Sequence, residues 1–181
     1  MLKVSRQATL TACALFFALG LLPLALSAQI PNIGLLANLN PGSASSSPSN
    51  LAKLGSIVIF SANDGTNGTE LWKSDGTIAG TVLVKDIRSG STNSSPSNFV
   101  VMGGFVYFTA NDGVVGGALW RTDGTTAGTT LVKDVNTTST TSSSFIFNLV
   151  AIGSKLYFRG DDRTNGEEPW VSDGTPAVQL C

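Results

Sequence analysis

The chain of 181 residues contains no histidine and few charged side chains. Without histidine it cannot form a Ser-His-Asp triad, a Cys-His nucleophile pair or an HExxH zinc site. Lys and Arg number 11 and Asp and Glu number 12, together 13% of the chain, against roughly 25% in an average soluble domain. A nucleic-acid-binding surface needs clustered basic residues to displace counterions. The composition therefore excludes histidine-based catalysis and argues against nucleic acid as a partner.

Cysteine is also scarce. Cys13 lies in the apolar N-terminal stretch and Cys181 is the last residue of the sequence. Loss of the N-terminal stretch on export would remove Cys13 and leave no pair for an intramolecular disulfide. We therefore expect a fold that is stabilised by burial alone.

The N-terminal segment has the pattern of a secretory signal. Lys3 and Arg6 form a short positive region, Leu10–Leu26 is almost continuously apolar, and small residues follow at Ser27 and Ala28. This order of a positive, an apolar and a small-residue region is typical of signal peptides. The sequence predicts a signal peptide at 1–28, cleavage after Ala28, and a secreted, cell-surface or periplasmic protein.

Two alternatives exist for this segment. A membrane-spanning helix is disfavoured, because Pro23 interrupts the apolar run and no positive flank follows it. A lipoprotein signal is the second alternative, because small residues precede Cys13, but most of the apolar stretch lies after that cysteine. We expect no membrane span once the signal is removed.

Residues 29–181 are expected to form one repeat domain. Trp72, Trp120 and Trp170 lie 48 and 50 residues apart, and the blocks around them read ELWKSDGT, ALWRTDGT and EPWVSDGT. An aromatic residue, an Asp-Gly pair and several apolar runs in one register indicate a true internal repeat. The repeated turns lie at Asp75-Gly76, Asp123-Gly124 and Asp173-Gly174, and the units are a partial one at about 33–50, then 51–98, 99–148 and a truncated unit at 149–181.

Each unit is predicted to form four short antiparallel strands, with the fourth at 81–87 in the first complete unit and at 129–135 in the second. The runs at 82–84 and 105–108 are apolar at consecutive positions, so both faces of these strands should be covered by neighbouring sheets. Short loops leave no room for helices. The sequence thus predicts an all-β, β-propeller-like array of about three four-stranded blades. Ser-rich stretches at 43–49, 89–97 and 137–144 should carry the chain between blades, and the recurrence of SSPSN indicates an ordered crossing.

The two ends of the repeat region complement each other. Residues 33–42 align with 81–90, which predicts a lone fourth strand at the start of the domain. The third unit stops where its own fourth strand should follow. Propellers commonly complete the last blade with a strand from the other terminus, although three blades are fewer than the usual four to eight. We therefore expect a truncated reading frame, or self-association of chains through open blade edges.

The units resemble the ELWxxDGT repeat family of large secreted bacterial proteins. The resemblance covers residues 33–177 and implies a propeller-like layout, but no reaction. The departures from the family pattern are Ala118, Pro169 and the missing GTxxVKDI segment of the third unit. In the first unit the pattern is carried by Phe60, Asp64, Gly68, Glu70, Leu71, Trp72, Asp75, Gly76, Thr77, Gly80, Thr81 and Val84 to Ile87, and the second unit repeats it 48 residues later.

Three groups of side chains are candidates for binding or catalysis: the repeated Trp residues, the Asp-rich loops and the extra charged residues of the third unit. The repeated Trp residues are predicted to pack between blades, with a sugar-stacking platform as the alternative. The Asp-rich loops are predicted to be turns, with a calcium site as the alternative, since they lack the D-x-[DN]-x-[DN]-G-x5-E spacing. The calcium candidates are Asp64, Asn67, Asp112, Asp161, Asp162 and Glu167.

The third unit breaks the repeat with extra charge at Arg159, Asp161, Arg163, Glu167 and Glu168. Paired carboxylates are used in glycoside hydrolysis, but a solvated loop is the simpler interpretation. The sequence therefore predicts an exported non-enzymatic binding or scaffold module without a cofactor, whose partner is a protein or glycan at the cell surface. The alternatives are a calcium-dependent adhesion module and a fragment of a carbohydrate-active propeller enzyme.

Overall fold

The computed structural model describes residues 34–136 and 145–176. These residues form strands and loops. No helix among them is long and apolar enough to cross a membrane. The strands are β1 Ser49–Leu54, β2 Ile57–Asn63, β3 Thr69–Ser74, β4 Val82–Lys85, β5 Ser97–Met102, β6 Phe105–Asn111, β7 Gly117–Thr122, β8 Thr130–Lys133, β9 Phe147–Ile152, β10 Lys155–Asp161 and β11 Glu167–Ser172.

The strands form three antiparallel sheets in chain order. Sheet 1 contains β1 to β4, sheet 2 contains β5 to β8, and sheet 3 contains β9 to β11. For the described residues, the prediction of an all-β fold of antiparallel sheets is confirmed, with sheets of four, four and three strands. The predicted signal peptide at 1–28, the third Ser/Thr-rich stretch at 137–144 and residues 177–181 lie outside the described residues.

Apolar side chains pack the sheets face to face. Ile59 and Leu71 of sheet 1 share a buried cluster with Phe108 and Trp120 of sheet 2. A second cluster joins sheet 2 to sheet 3 and contains Tyr107, Leu119, Leu156 and Phe158. Successive side chains of a strand point to opposite faces, so the consecutive apolar residues of β6 supply both clusters. The expectation that both faces of such a strand are covered is confirmed for sheet 2.

Two predicted elements differ from the structure. Residues 34–42 form no strand, although Leu39 packs against the cluster of Phe60, Ala62 and Trp72. A strand requires a hydrogen-bonded neighbour, and the segment pairs with none of the described strands. The fourth strands are also shorter than the predicted 81–87 and 129–135. In sheet 1 the backbone N–H of Ile87 donates to the Glu70 carboxylate instead of to a strand.

The serine-rich crossing from sheet 1 to sheet 2 is ordered by an asparagine at a strand bulge. Asn50 has a φ of 54°, a left-handed conformation that Asn tolerates better than most residues. Its Nδ2 donates to the carbonyl of Pro96 at 3.1 Å, just before β5. Asn98 repeats the device, with a φ of 56° and a 3.4 Å hydrogen bond to the carbonyl of Ile146.

Candidate functional site

The DGT turns are closed by hydrogen bonds between near neighbours. Asp75 Oδ1 accepts from the backbone N–H of Thr77 at 2.9 Å and from its hydroxyl at 2.7 Å. Thr77 Oγ1 in turn accepts from the N–H of Gly80 at 2.9 Å. A Cβ at Gly80 would overlap the Asp75 carboxylate. Gly76 takes a φ of 91°, which favours glycine. The motif is therefore a self-contained turn.

The same geometry recurs in the other two turns and fixes the charge state of their Asp residues. Asp123 and Asp173 each accept two hydrogen bonds from the Thr two residues later. The hydroxyl bond is the largest cause that lowers the pKa of Asp75, Asp123 and Asp173 below the ordinary Asp value. Gly124 and Gly174 have φ values of 87° and 76°. These carboxylates stay ionised at neutral pH and accept hydrogen bonds from the backbone of their own turn.

The Asp-rich loops use their carboxylates in the same way. Asp64 Oδ1 accepts from the N–H groups of Thr66 and Asn67, both at 2.8 Å, and the Asn67 amide donates to Oδ2 at 2.7 Å. Burial opposes ionisation here, but these bonds outweigh it and lower the pKa of Asp64. Asp112 accepts from two backbone N–H groups at 2.8 and 2.9 Å.

Asp162 repeats the arrangement of Asp64. It accepts from the N–H groups of Thr164 and Asn165 and from the Asn165 amide. The backbone bond from Asn165 is the largest cause that lowers the pKa of Asp162. In the part of the chain that the structure describes, no three Asp, Glu, His or Cys side chains are grouped to hold a metal ion. The predicted calcium ligands are therefore distributed over three separate turns.

Two ion pairs join four of the extra charges of the third unit. Arg159 Nη1 lies 3.4 Å from Glu167 Oε2, and both side chains are about half exposed, at 49% and 53%. Asp161 accepts from the N–H of Arg163 at 2.7 Å, and its Oδ2 lies 3.8 Å from the guanidinium. Glu168 is exposed. Glu167 and Glu168 are thus exposed carboxylates, whereas the Asp161 side chain is only 17% exposed.

Two of the three tryptophans are buried packing residues. Trp72 and Trp120 are 8% and 7% exposed, so neither has a ring face open to a sugar. Trp170 is half-buried, stacks on Phe158 with 6.5 Å between ring centroids, and donates through Nε1 to the carbonyl of Gly160 at 3.1 Å. It lines an open cavity of about 450 Å³.

Glu70 has a role that sequence reasoning missed. Its side chain is completely buried, and it accepts from Ile87 N at 2.7 Å, Ser94 N at 2.8 Å and Ser94 Oγ at 2.6 Å. Desolvation is the main cause that raises its pKa. Glu70 therefore fastens β3 to the segment that crosses to sheet 2. The available signal was a Glu directly before the Leu-Trp pair of the repeat block.

The outer face of sheet 1 carries an apolar groove of about 490 Å³, which we call the sheet 1 groove. Leu35 and Leu51 lie at its rim and are 85% and 69% exposed. Its lining includes Leu35, Leu36, Leu51, Val58, Phe60 and Gly76.

The outer face of sheet 3 is also apolar and exposed. Val150, Ile152, Tyr157 and Val171 lie on it, and all four are exposed. In sheet 1 the positions equivalent to the first two are Ala52 and Leu54, which pack against sheet 2. The two outer faces thus present side chains of the kind that the repeat buries internally. No family model, curated protein or solved structure matches the chain.

Proposed function

We propose that the chain is an exported, non-enzymatic repeat protein that acts as a binding and scaffold module outside the cell or at its surface. The sheet 1 groove carries this proposal, because Leu35 and Leu51 are exposed beside it. Apolar patches of this kind, rimmed by polar residues, mark interaction sites. The Asp residues of the DGT turns support a scaffold role, because their oxygens already bind backbone N–H groups.

The three sheets are proposed to be blades of a propeller-like array. Support comes from the face-to-face packing of sheet 1 on sheet 2 and of sheet 2 on sheet 3. The first strands also approach one another, β1 against β5 and β5 against β9. Adjacent first strands are what blades arranged round a common axis require. Membership of the ELWxxDGT repeat family is part of the same proposal and rests on the motif.

Export is proposed from the signal pattern at 1–28. An exporting bacterial host is expected to secrete the chain and to remove this segment, which leaves Gln29 as the first residue. Intact mass and N-terminal sequencing of the secreted protein test the cleavage site. A lipid-modified Cys13 would instead identify the lipoprotein alternative, and an uncleaved cell-bound chain would contradict export.

The proposed partner is a protein that presents an apolar surface. The groove lining is predominantly apolar, and Trp72 and Trp120 have no ring face open to a glycan. Leu35→Glu combined with Leu51→Glu is expected to keep the fold and lose binding to its protein partner, because charge would have to be buried in the groove. The matched control is Val114→Glu, at an exposed loop position away from the groove. Equal binding by both variants would contradict the groove as the binding site.

The enzyme alternative has its own test. The full chain is incubated with a panel of polysaccharides beside Asp161→Asn and Glu167→Gln, and hydrolysis is followed by release of reducing ends. We expect all three proteins to show only the background rate of buffer alone, because Asp161 and Glu167 are each paired with an arginine. Hydrolysis by the wild type that either substitution abolishes would overturn the non-enzymatic assignment.

A further inference from the structure

Both internal sheet interfaces use the same contact. In the first, Gly124 of the sheet 2 turn lies against β2, so that a Cβ placed on it would be 2.7 Å from Ile57 Cδ1. In the second, the carbonyl of Gly174 accepts from the Tyr107 hydroxyl at 3.3 Å. In each interface, therefore, the glycine of a DGT turn packs against the second strand of the preceding sheet.

The chain carries one unpaired half of this contact at each outer face. Gly76 is the equivalent glycine of sheet 1, and a Cβ on it would have no atom within 4 Å. Tyr157 of sheet 3 occupies the position of Tyr107 and is 44% exposed. Tyr107 packs on a turn glycine, whereas Tyr157 has none beside it. The sheet 1 groove and the outer face of sheet 3 are thus complementary halves of one interface.

A second contact that recurs between neighbouring sheets also lacks a partner at sheet 3. Asn50 and Asn98 donate to the carbonyls of Pro96 and Ile146, the residues that lead into the next sheet. Asn148 has the same left-handed conformation, with a φ of 56°, and no described residue hydrogen-bonds its side-chain amide. Pro48 precedes β1 and aligns with Pro96 in the repeat. Its carbonyl is therefore the equivalent acceptor on sheet 1.

The edge of sheet 3 has a matching segment on sheet 1. Within the described residues, β11 hydrogen-bonds β10 alone. Residues 34–42 lie over sheet 1 with Leu39 against its outer cluster, just as Ile87, which follows β4, packs against sheet 2. A sheet 3 docked on this groove would find residues 34–42 beside β11, in the place of a fourth strand.

We propose that two copies of this chain join head to tail, with the outer face of sheet 3 of each copy packed on the sheet 1 groove of the other. The inference rests on the scaffold function proposed above and names the partner. The interface joins different surfaces, and such heterologous contacts close into rings when the rotation allows. Rings of stacked sheets typically contain about four to eight sheets. The described residues of one copy form three sheets, so two copies supply six, which lies within this range.

The first test measures the mass of the exported full chain in solution by sedimentation velocity. Tyr157→Glu places a charge on the outer face of sheet 3, and Leu35→Glu with Leu51→Glu places charges in the groove. Both variants are expected to be monomers with a cooperative melting transition, since the substituted side chains are exposed in one copy. The wild type and the Val114→Glu control are expected to be dimers.

The second test mixes the two monomeric variants. One of the two interfaces in a mixed pair contains neither substitution, so dimers are expected to reappear. A dimer built from the same patch on both copies would not be restored by mixing. A monomeric wild type at high concentration, a dimer that neither substitution disrupts, an open-ended polymer, or a mixture that stays monomeric would each overturn the inference. A monomer that still binds another protein through the groove would overturn it and leave the scaffold function standing.

Discussion

Hydrogen bonds and close packing join the residues of the DGTxxGT motif to one another. Thr77 donates twice to Asp75 and accepts from the N–H of Gly80. The next residue, Thr81, donates through its hydroxyl to the carbonyl of Thr77 at 2.6 Å. The second glycine of the motif is required because the Asp carboxylate occupies the space of its Cβ. Each named residue of the motif is therefore explained by a contact within the turn.

Gly80→Ala is expected to destabilise the protein by about 1–3 kcal/mol, the usual cost of overpacking. The added methyl group must displace the Asp75 carboxylate and break its bonds to Thr77. In an Asp75→Ala background the overlap is absent, and the same substitution should be neutral or slightly stabilising. Denaturant unfolding of the four proteins of this cycle measures the coupling. Equal effects of Gly80→Ala in both backgrounds would contradict the motif geometry.

The turn carboxylates predict acid sensitivity. Hydrogen bonds from Thr125 lower the pKa of Asp123 below its ordinary value of 3.8. A lowered folded-state pKa contributes stability that is complete above the unfolded value and is lost as the pH falls through the folded value. Asp123→Asn should therefore unfold at lower denaturant concentration than the wild type at pH 7, and the difference should shrink below about pH 3.8. A difference that is constant from pH 7 to pH 2 would contradict this assignment.

At the scale of strands and crossings, the buried Glu70 connects β3 to the segment leading to β5. Its three hydrogen bonds reach residues 17 and 24 positions later in the chain. The second unit has Ala118 at this position, and the third has an exposed Glu168. The same repeat position is thus a buried anchor in one unit and a surface side chain in another.

Glu70→Ala should destabilise the protein by about 2–5 kcal/mol, because the N–H groups of Ile87 and Ser94 would lose their buried acceptor. The control is Glu168→Ala, for which less than about 0.5 kcal/mol is expected. Burial raises the pKa of Glu70 above 4.5, so its contribution to stability increases as the pH falls toward that value and decreases above it. Chemical unfolding at several pH values measures both effects, and equal losses at the two positions would contradict the anchor role.

Strands could be predicted from the sequence where the repeated residue pattern lies within a single strand. The three Trp blocks and the consecutive apolar residues of β6 indicated stacked antiparallel sheets, because both signals are local to a strand. Residues 34–42 were predicted as a strand and form none, since ladder pairing depends on a neighbour that alignment with residues 81–90 does not supply. The anchor at Glu70 was missed for a related reason, because its burial depends on partners in a distant loop.

At the scale of the whole molecule, sheets 1 and 3 differ from sheet 2 in their outer faces and not in their polar loops. Sheet 2 has both faces covered, whereas sheet 3 leaves one apolar face exposed and sheet 1 carries the groove, with Leu35 and Leu51 exposed beside it. Exposed apolar faces of a repeat array invite further stacking. The Asp-rich loops, in contrast, are alike in all three units and are complete by themselves. The proposed association therefore uses the outer faces.

Calcium is expected to leave the stability of the whole protein unchanged. Extracellular calcium modules bind with dissociation constants of about 10⁻⁴–10⁻³ M, so a site of that class would add about 1.4–2.7 kcal/mol at about 10 mM calcium. Such a gain would raise the melting temperature by several degrees. Here Asp64, Asp112 and Asp162 already accept two backbone hydrogen bonds each, and a cation would have to compete with them. Calorimetric melting of the full chain in calcium and in chelator should give the same temperature. An increase that Asp64→Asn or Asp162→Asn removes would instead show a calcium site in these loops, as the adhesion alternative requires.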